Sequence, residues 1–226
     1  LIEAVKTLRD PDGNILIDNW YDEVVPLSKK DLELIKKEPF DQNVFKKEFG
    51  IKSFVANKKN LDAKKALVGD ATCNIAGFVS GYTGDGAKTV LPGTALVKID
   101  FRLIPNMDPK KQIIRLKKHL KLHGFSDVKI KIFHGEAAAR TDSSHPFVSQ
   151  VKDAADKTFG ESILNVSNAG TGPMYPFVDI LKSPCISIGS TYMFSRIHSP
   201  NEFARVDLLK KTTKCICLIM ENFGKN

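Results

Sequence analysis

The chain is 226 residues long, with 42% apolar residues, 27% charged residues and a formal net charge of +8. That balance is typical of a globular chain large enough to bury a core, and no run approaches the roughly 18 uncharged apolar residues of a membrane span. The lysines are scattered over helix and strand exteriors, as Lys110, Lys111, Lys117, Lys118 and Lys121 illustrate, so they do not make the clustered, aromatic-lined groove of a nucleic-acid binder.

Leu1 opens on a helical pattern in progress, with Leu1, Ile2, Val5 and Leu8 on one face. There is neither a basic n-region nor a small-residue cleavage site, so the segment reads as a helix of a chain begun in mid-protein and not as a signal peptide. A turn is expected at Asp12-Gly13. A polar excursion of short capped helices follows over residues 10–70: Ser28 with Asp31 is a capping-box signal, and Asp41 caps a turn that ends at Gly50.

A strand is expected over residues 72–80, followed by a turn containing Gly84 and Gly86, and then a strand from Ala95 to Ile104. In the second strand Val97, Ile99, Phe101 and Leu103 face one way while Lys98, Asp100 and Arg102 face the other. Asp108 and Pro109 open a helix with apolar positions Ile113, Leu116 and Leu120, and Gly124 closes it. An alternating run at 127–133, DVKIKIF, predicts another strand. Helix, strand, strand, helix, strand is a ferredoxin-like βαββαβ module without its first strand.

Patterning restarts near residue 138. Ser144 and Pro146 start a helix with Phe147, Val148, Val151, Ala154 and Ala155 on its apolar face. The glycine-rich loop NAGTGPM (168–174), a short apolar strand in SPCISIG and an irregular segment through His198 follow. A final helix capped by Asp207 runs to Gly224. The four cysteines contain no CxxC pair. Cys215 and Cys217 point to different sides of a helix, and Cys73 and Cys185 lie in strand-like runs, so buried free thiols of a reducing cytoplasm are expected.

Three places carry candidate chemistry. His198, in SRIHSPNE, sits in a loop between an apolar strand and a helix, where ligands gather in α/β sheets; beside Asn201 and Glu202 it reads equally as a metal ligand or a plain loop histidine. In NAGTGPM, Gly170 and Gly172 flank Thr171 and let backbone amides and a hydroxyl approach a ligand, or else form a tight turn. Arg102 projects from the polar face of its strand, either to fork onto a carboxylate or to pair with Asp100. His119 and His123 are four apart, yet lysines surround them and no acidic residue lies between, so both are expected to face solvent. His145 reads as structural, and His134 has no assigned role. No nucleophile-elbow pattern supports serine-hydrolase chemistry.

Three blocks are more specific together than alone. NIAGFVSGYTGDGAKTVLPGTALVKIDFRLIPNMDP, SNAGTGPMYPF and SRIHSPNE resemble, in order and spacing, the M20 metallopeptidases, especially the carnosinase-like dipeptidase branch. The resemblance covers residues 70–226, with weaker support before that. It implies an α/β fold with an α+β lid: residues 1–137 as a ferredoxin-like lid and dimerisation domain, carrying the polar insertion, and residues 138–226 as the C-terminal part of an α/β zinc-peptidase catalytic domain.

The resemblance also implies two zinc or manganese ions bridged by an aspartate and a water, with a glutamate as general base. The metals polarise the scissile carbonyl and lower the pKa of the water. Of the metal ligands only His198 maps onto this chain; the HxD motif, the bridging aspartate, the Glu-Glu pair and a lid histidine are expected upstream of Leu1. No catalytic residue is therefore expected within the chain. Thr89 and Arg102 match lid positions that hold a substrate's C-terminal carboxylate, and Thr171, beside Gly170, replaces a serine. The implied protein is a cytoplasmic homodimer that hydrolyses peptides, or N-acyl amino acids in its deacylase and desuccinylase branches. It has no nucleic-acid or membrane partner, and the 226-residue piece alone is expected to be inactive. A non-catalytic dimerisation module is the alternative. An RNA-binding βαββαβ domain would need exposed sheet aromatics, whereas Phe101 shares a face with Val97 and Ile99.

Overall fold

The structure, a computed structural model, describes residues 1–192 and 194–225. Its elements in chain order are α1 (Ile2–Lys6), α2 (Lys29–Lys37), α3 (Gln42–Glu48), α4 (Asn60–Gly69), β1 (Thr72–Ser80), β2 (Ala95–Arg102), α5 (Pro109–Leu122), α6 (Pro146–Phe159) and α7 (Val206–Phe223). Short helical turns occur at Val55–Asn57 and Pro176–Ile180. The chain divides into two compact units. The first comprises Leu1–Pro26, Phe54–Lys58 and Gly69–Ala139; the second comprises Leu27–Ser53, Lys59–Val68 and Arg140–Asn226. Most of the polar excursion thus packs with the C-terminal unit.

In the first unit, α1, β1, β2 and α5 occur in the expected order. The strands pair antiparallel, from Thr72 opposite Arg102 to Ser80 opposite Ala95, with an irregularity between Ile75 and Gly77. Alternation puts one face of β2 on the core: Ile99 and Phe101, with Leu103 just beyond the strand, pack against buried Ala4, Leu8, Ile15, Ile17, Trp20, Cys73, Met107 and Leu120. The Trp20 and Phe101 rings meet at 4.9 Å between centroids, a favourable tilted aromatic contact. The turn after α1 folds as expected. Asp10 accepts hydrogen bonds from the Asn14 backbone and side-chain amides. Gly13 adopts φ +85°, where a Cβ would lie 2.7 Å from Val55 Cγ1. Only glycine satisfies both constraints.

Residues 127–133 form no strand, contrary to expectation. Val128 and Ile130 do pack against the core, whereas Ile132 and Phe133 are exposed. Alternation specifies which side is buried, but a strand also needs a hydrogen-bonded neighbour. Among the described residues the sheet consists of β1 and β2 alone.

In the second unit, local capping chemistry sets the helix starts. Ser28 and Asp31 form the reciprocal capping box of α2, and Asp41 accepts from Asn43 and Val44 at the start of α3. Asp31 is buried; it also accepts a hydrogen bond from Ser143 and lies 3.8 Å from Arg140. Lys64 of α4 is buried too, and its ammonium donates to the carbonyls of Ile35 and Glu38 at the end of α2. Those are orphan carbonyls of a helix terminus, where positive charge is favoured.

Helix α6 starts on His145, whose Nδ1 accepts from the Phe147 amide, with Pro146 in the first turn. His145 is thus a helix cap. Val148, Val151 and Ala154 of α6 are buried, as is Cys215 of α7. Arg205, and not Asp207, occupies the cap position of α7; Asp207 lies in the first turn and receives two hydrogen bonds from Arg205. An acidic side chain stabilises either position, which is why sequence alone misplaced it by two residues. Residues 183–189 form no strand either. The backbone of Cys185 is held instead by the Thr141 hydroxyl, which accepts from its amide and donates to its carbonyl.

Candidate functional site

The candidate residues fall in both units. Thr89 and Arg102 belong to the first; Gly170, Thr171 and His198 belong to the second.

Arg102 ends β2 opposite Thr72, and its Nε donates to Asp100 Oδ2 at 2.7 Å. The two residues share the polar face of the strand, as their spacing of two requires. Both side chains are about half exposed, 49% and 47%, so the pair contributes little to stability and leaves the guanidinium at the surface. Thr89 lies in the exposed connection between β1 and β2, next to Val90 and Leu91, which is 92% exposed. Tyr82 organises the start of that connection. Its hydroxyl donates to the Asp85 carbonyl, and its ring packs so closely on Gly84 that a Cβ there would lie 2.6 Å from the phenol oxygen.

The glycine-rich segment is an Asx-type turn. The Gly170 amide donates to Asn168 Oδ1 at 2.8 Å, and the chain then enters the helical turn Pro176–Ile180 through bonds from Phe177 and Val178 to the Met174 carbonyl. Gly170 and Thr171 are exposed.

His198 sits at the tip of two successive turns, closed by the Ser199 amide on the Arg196 carbonyl and the Glu202 amide on the Ser199 carbonyl. The base of the loop is fixed by fully buried Ser195, whose hydroxyl donates to the Tyr192 carbonyl and whose own carbonyl accepts from the Phe203 amide. Arg196, His198 and Asn201 adopt φ of +59°, +61° and +62°. Left-handed backbone at non-glycine residues is uncommon and concentrates at functional loops. The His198 side chain is exposed, and among the described residues neither Asn201 nor Glu202 hydrogen-bonds it.

No group of three ligand-type side chains among the described residues includes His198. Among the described residues, Asp18, His119 and His123 form a group of three whose ligand atoms lie within 4.8 Å of one another, and His198 is not a member. One imidazole cannot hold two divalent ions against water, so the residues of this chain do not by themselves fit a dinuclear centre, and no catalytic step is derived through one.

The Asp18, His119 and His123 group was not foreseen. His119 was expected to face solvent, yet it is 1% exposed, while His123 is exposed as expected. The lysines that masked it in the sequence lie on other sides of α5: at 100° per residue, Lys117 and Lys121 are nearly opposite His119. The spacing of Gln112, Leu116, His119 and Leu120 marks one inward face and was the available signal. Asp18 comes from a distant segment and had none. Burial, and next the neighbouring His123, push the His119 pKa below its usual value, against the opposing influence of Asp18 and of a bond to Thr7.

Comparison with known proteins gives a consistent result. Residues 4–222 match the model of peptidase family M20/M25/M40. The chain is 28% identical over 159 residues to the Cys-Gly metallodipeptidase of Saccharomyces cerevisiae, covering 70% of this chain and 32% of that protein. It is 26% identical over 153 residues to the Beta-Ala-His dipeptidase of Homo sapiens, covering 68% of this chain and 29% of that one. The solved structure of an M20 family metallo-carboxypeptidase from Sulfolobus solfataricus superposes with a TM-score of 0.89 at 36% identity, over 97% of this chain and 51% of that chain. Human carnosine dipeptidase 1 shares the fold, with a TM-score of 0.77 at 21% identity over 97% of this chain and 48% of its own. The chain therefore spans about half the length, or less, of the proteins it matches. Among the described residues no helix is long and apolar enough to cross a membrane.

Proposed function

The chain belongs to peptidase family M20/M25/M40, and on that premise we propose that the whole protein is a metal-dependent peptidase acting on dipeptides or on the C-terminal residue of short peptides. The observation that carries this reading is the family match across nearly the whole chain, joined to relatives whose names are dipeptidases and a carboxypeptidase.

In this reading Arg102 and Thr89 bind the free carboxylate of the substrate. Guanidinium is suited to that task because its planar fork meets both carboxylate oxygens. The half-exposed position of Arg102 at the end of β2, on the polar face of the strand, is consistent with that role. The exposed turn of Gly170 and Thr171 adds further contacts to the peptide. His198 supplies one imidazole to a pair of divalent ions, zinc or manganese, whose other ligands come from parts of the whole protein that this chain does not span. When bound, such ions supply an activated water and polarise the scissile carbonyl. The 226 residues alone are inactive, the first unit is part of a lid domain that forms a homodimer, and the protein works in the cytoplasm.

The test is a hydrolysis assay of the whole, metal-loaded protein on a panel of dipeptides and N-acyl amino acids. Cleavage of dipeptides carrying a free C-terminal carboxylate is expected. Cleavage of N-acyl amino acids alone would replace the peptidase assignment with a deacylase one, and no turnover of either class would leave a non-catalytic dimerisation module.

A further inference from the structure

The tautomer of His119 is fixed by its neighbours. Thr7 donates its hydroxyl proton to the Ala4 carbonyl at 2.7 Å, so its oxygen serves as acceptor toward His119 Nε2, 3.0 Å away. A hydroxyl has a single proton to give, which places a proton on Nε2 and a bare lone pair on Nδ1. That Nδ1 is buried and has no hydrogen-bond partner among the described residues. A buried acceptor without a donor is costly, and such exceptions call for an occupant.

The surroundings specify the occupant. The His123 ring lies 4.1 Å from the His119 ring between centroids, and Asp18 brings a carboxylate, so that one ligand atom from each of the three lies within 4.8 Å of the others. Two neutral imidazoles and one carboxylate make a donor set for a borderline cation of the zinc class, with water in the remaining position. The second nitrogen of His119 is already anchored on Thr7, as the outer nitrogen of a metal-bound histidine is usually anchored on a hydrogen-bond acceptor. His123 and Asp18 are exposed, which gives a cation a route in and lets their side chains turn to complete the geometry. We propose that Asp18, His119 and His123 form a mononuclear site for a zinc-class divalent cation, with His119 coordinating through Nδ1.

The test is a titration of this chain with Co²⁺ alone, followed by visible absorption, together with ¹⁵N imidazole NMR after addition of Zn²⁺. One equivalent is expected to bind, the His119 Nδ1 resonance to move on metal addition and Nε2 to keep its proton. His123→Gln and Asp18→Asn, both at exposed positions and checked for fold by circular dichroism, are each expected to weaken binding at least tenfold. His198→Gln is expected to bind as the parent chain does. No binding, binding lost only with His198→Gln, or an unmoved Nδ1 resonance would each overturn the proposal. None of these readouts depends on peptide hydrolysis, so the site stands or falls apart from the peptidase reading.

Discussion

Thr7 and His119, 112 residues apart in sequence, are joined by a 3.0 Å hydrogen bond that ties α1 to the inward face of α5. Removal of the acceptor would leave a buried Nε2 proton unsatisfied, at a cost of about 1–3 kcal/mol. Thr7→Val is therefore expected to lower the stability of the chain by that amount in urea unfolding followed through Trp20, its one tryptophan, while Thr7→Ser stays close to the parent. Equal stabilities for the Val and Ser variants would show that the bond contributes nothing.

The Ser28 and Asp31 capping box makes a second prediction. Burial raises the Asp31 pKa, but the Ser28 side chain and amide, then Arg140 and Ser143, outweigh it and hold the carboxyl below its usual range. Ser28→Ala removes one helix-capping acceptor and is expected to cost ~1 kcal/mol. It is also expected to raise the Asp31 pKa, measured by carboxyl NMR titration; an unchanged value would show that the Ser28 side chain does not help hold the carboxylate.

Acid sensitivity has an identifiable contributor in Asp156. Hydrogen bonds from Lys152, then from the Ser162 side chain and amide, lower its pKa from 3.8 to about 2. A carboxyl with a depressed folded-state pKa favours the fold above its unfolded value, and that contribution is lost as pH falls from about 4 toward 2. Lys152→Met is expected to raise the Asp156 midpoint and to flatten this part of the stability profile. A midpoint that stays near 2 would assign the shift elsewhere.

Thiol reactivity separates the cysteines. Burial raises the Cys73 pKa to about 11, and Cys215 is buried and raised as well, while Cys217 is exposed. The thiolate is the nucleophile, so iodoacetamide at neutral pH is expected to label Cys217 first and Cys73 and Cys215 only on unfolding. Mass spectrometry of the labelled peptides reads the order, and early Cys73 labelling would contradict the packing of β1.

Local chemistry made part of this fold legible. The caps at Ser28, Asp41 and Asp108 are satisfied within a few residues, the cap of α6 falls at His145 and not at Ser144, and the core face of β2 follows from period-two alternation. Residues 127–133 and 183–189 were misread as strands because a ladder depends on a distant partner that composition does not reveal. The same non-locality hid the Asp18, His119 and His123 group, since Asp18 lies about a hundred residues before the two histidines. The three motif blocks led to the family, and the match over residues 4–222 establishes it. Periodicity placed Arg102 on a polar strand face, but the carboxylate-binding role proposed for it rests on the resemblance, since the structure pairs it with Asp100.

Whether the whole protein is a metal-dependent peptidase that reads a free carboxylate is decided by its kcat/KM on one dipeptide and on the C-terminal amide of that dipeptide. Both are measured with metal present, after chelation, and after Zn²⁺ or Mn²⁺ is restored. Hydrolysis is expected to be lost on chelation and regained with metal, with a preference of at least tenfold for the free acid over the amide, in line with ~1.5–3 kcal/mol for a charge-assisted hydrogen bond. Hydrolysis that survives chelation, or equal rates on acid and amide, would contradict that assignment.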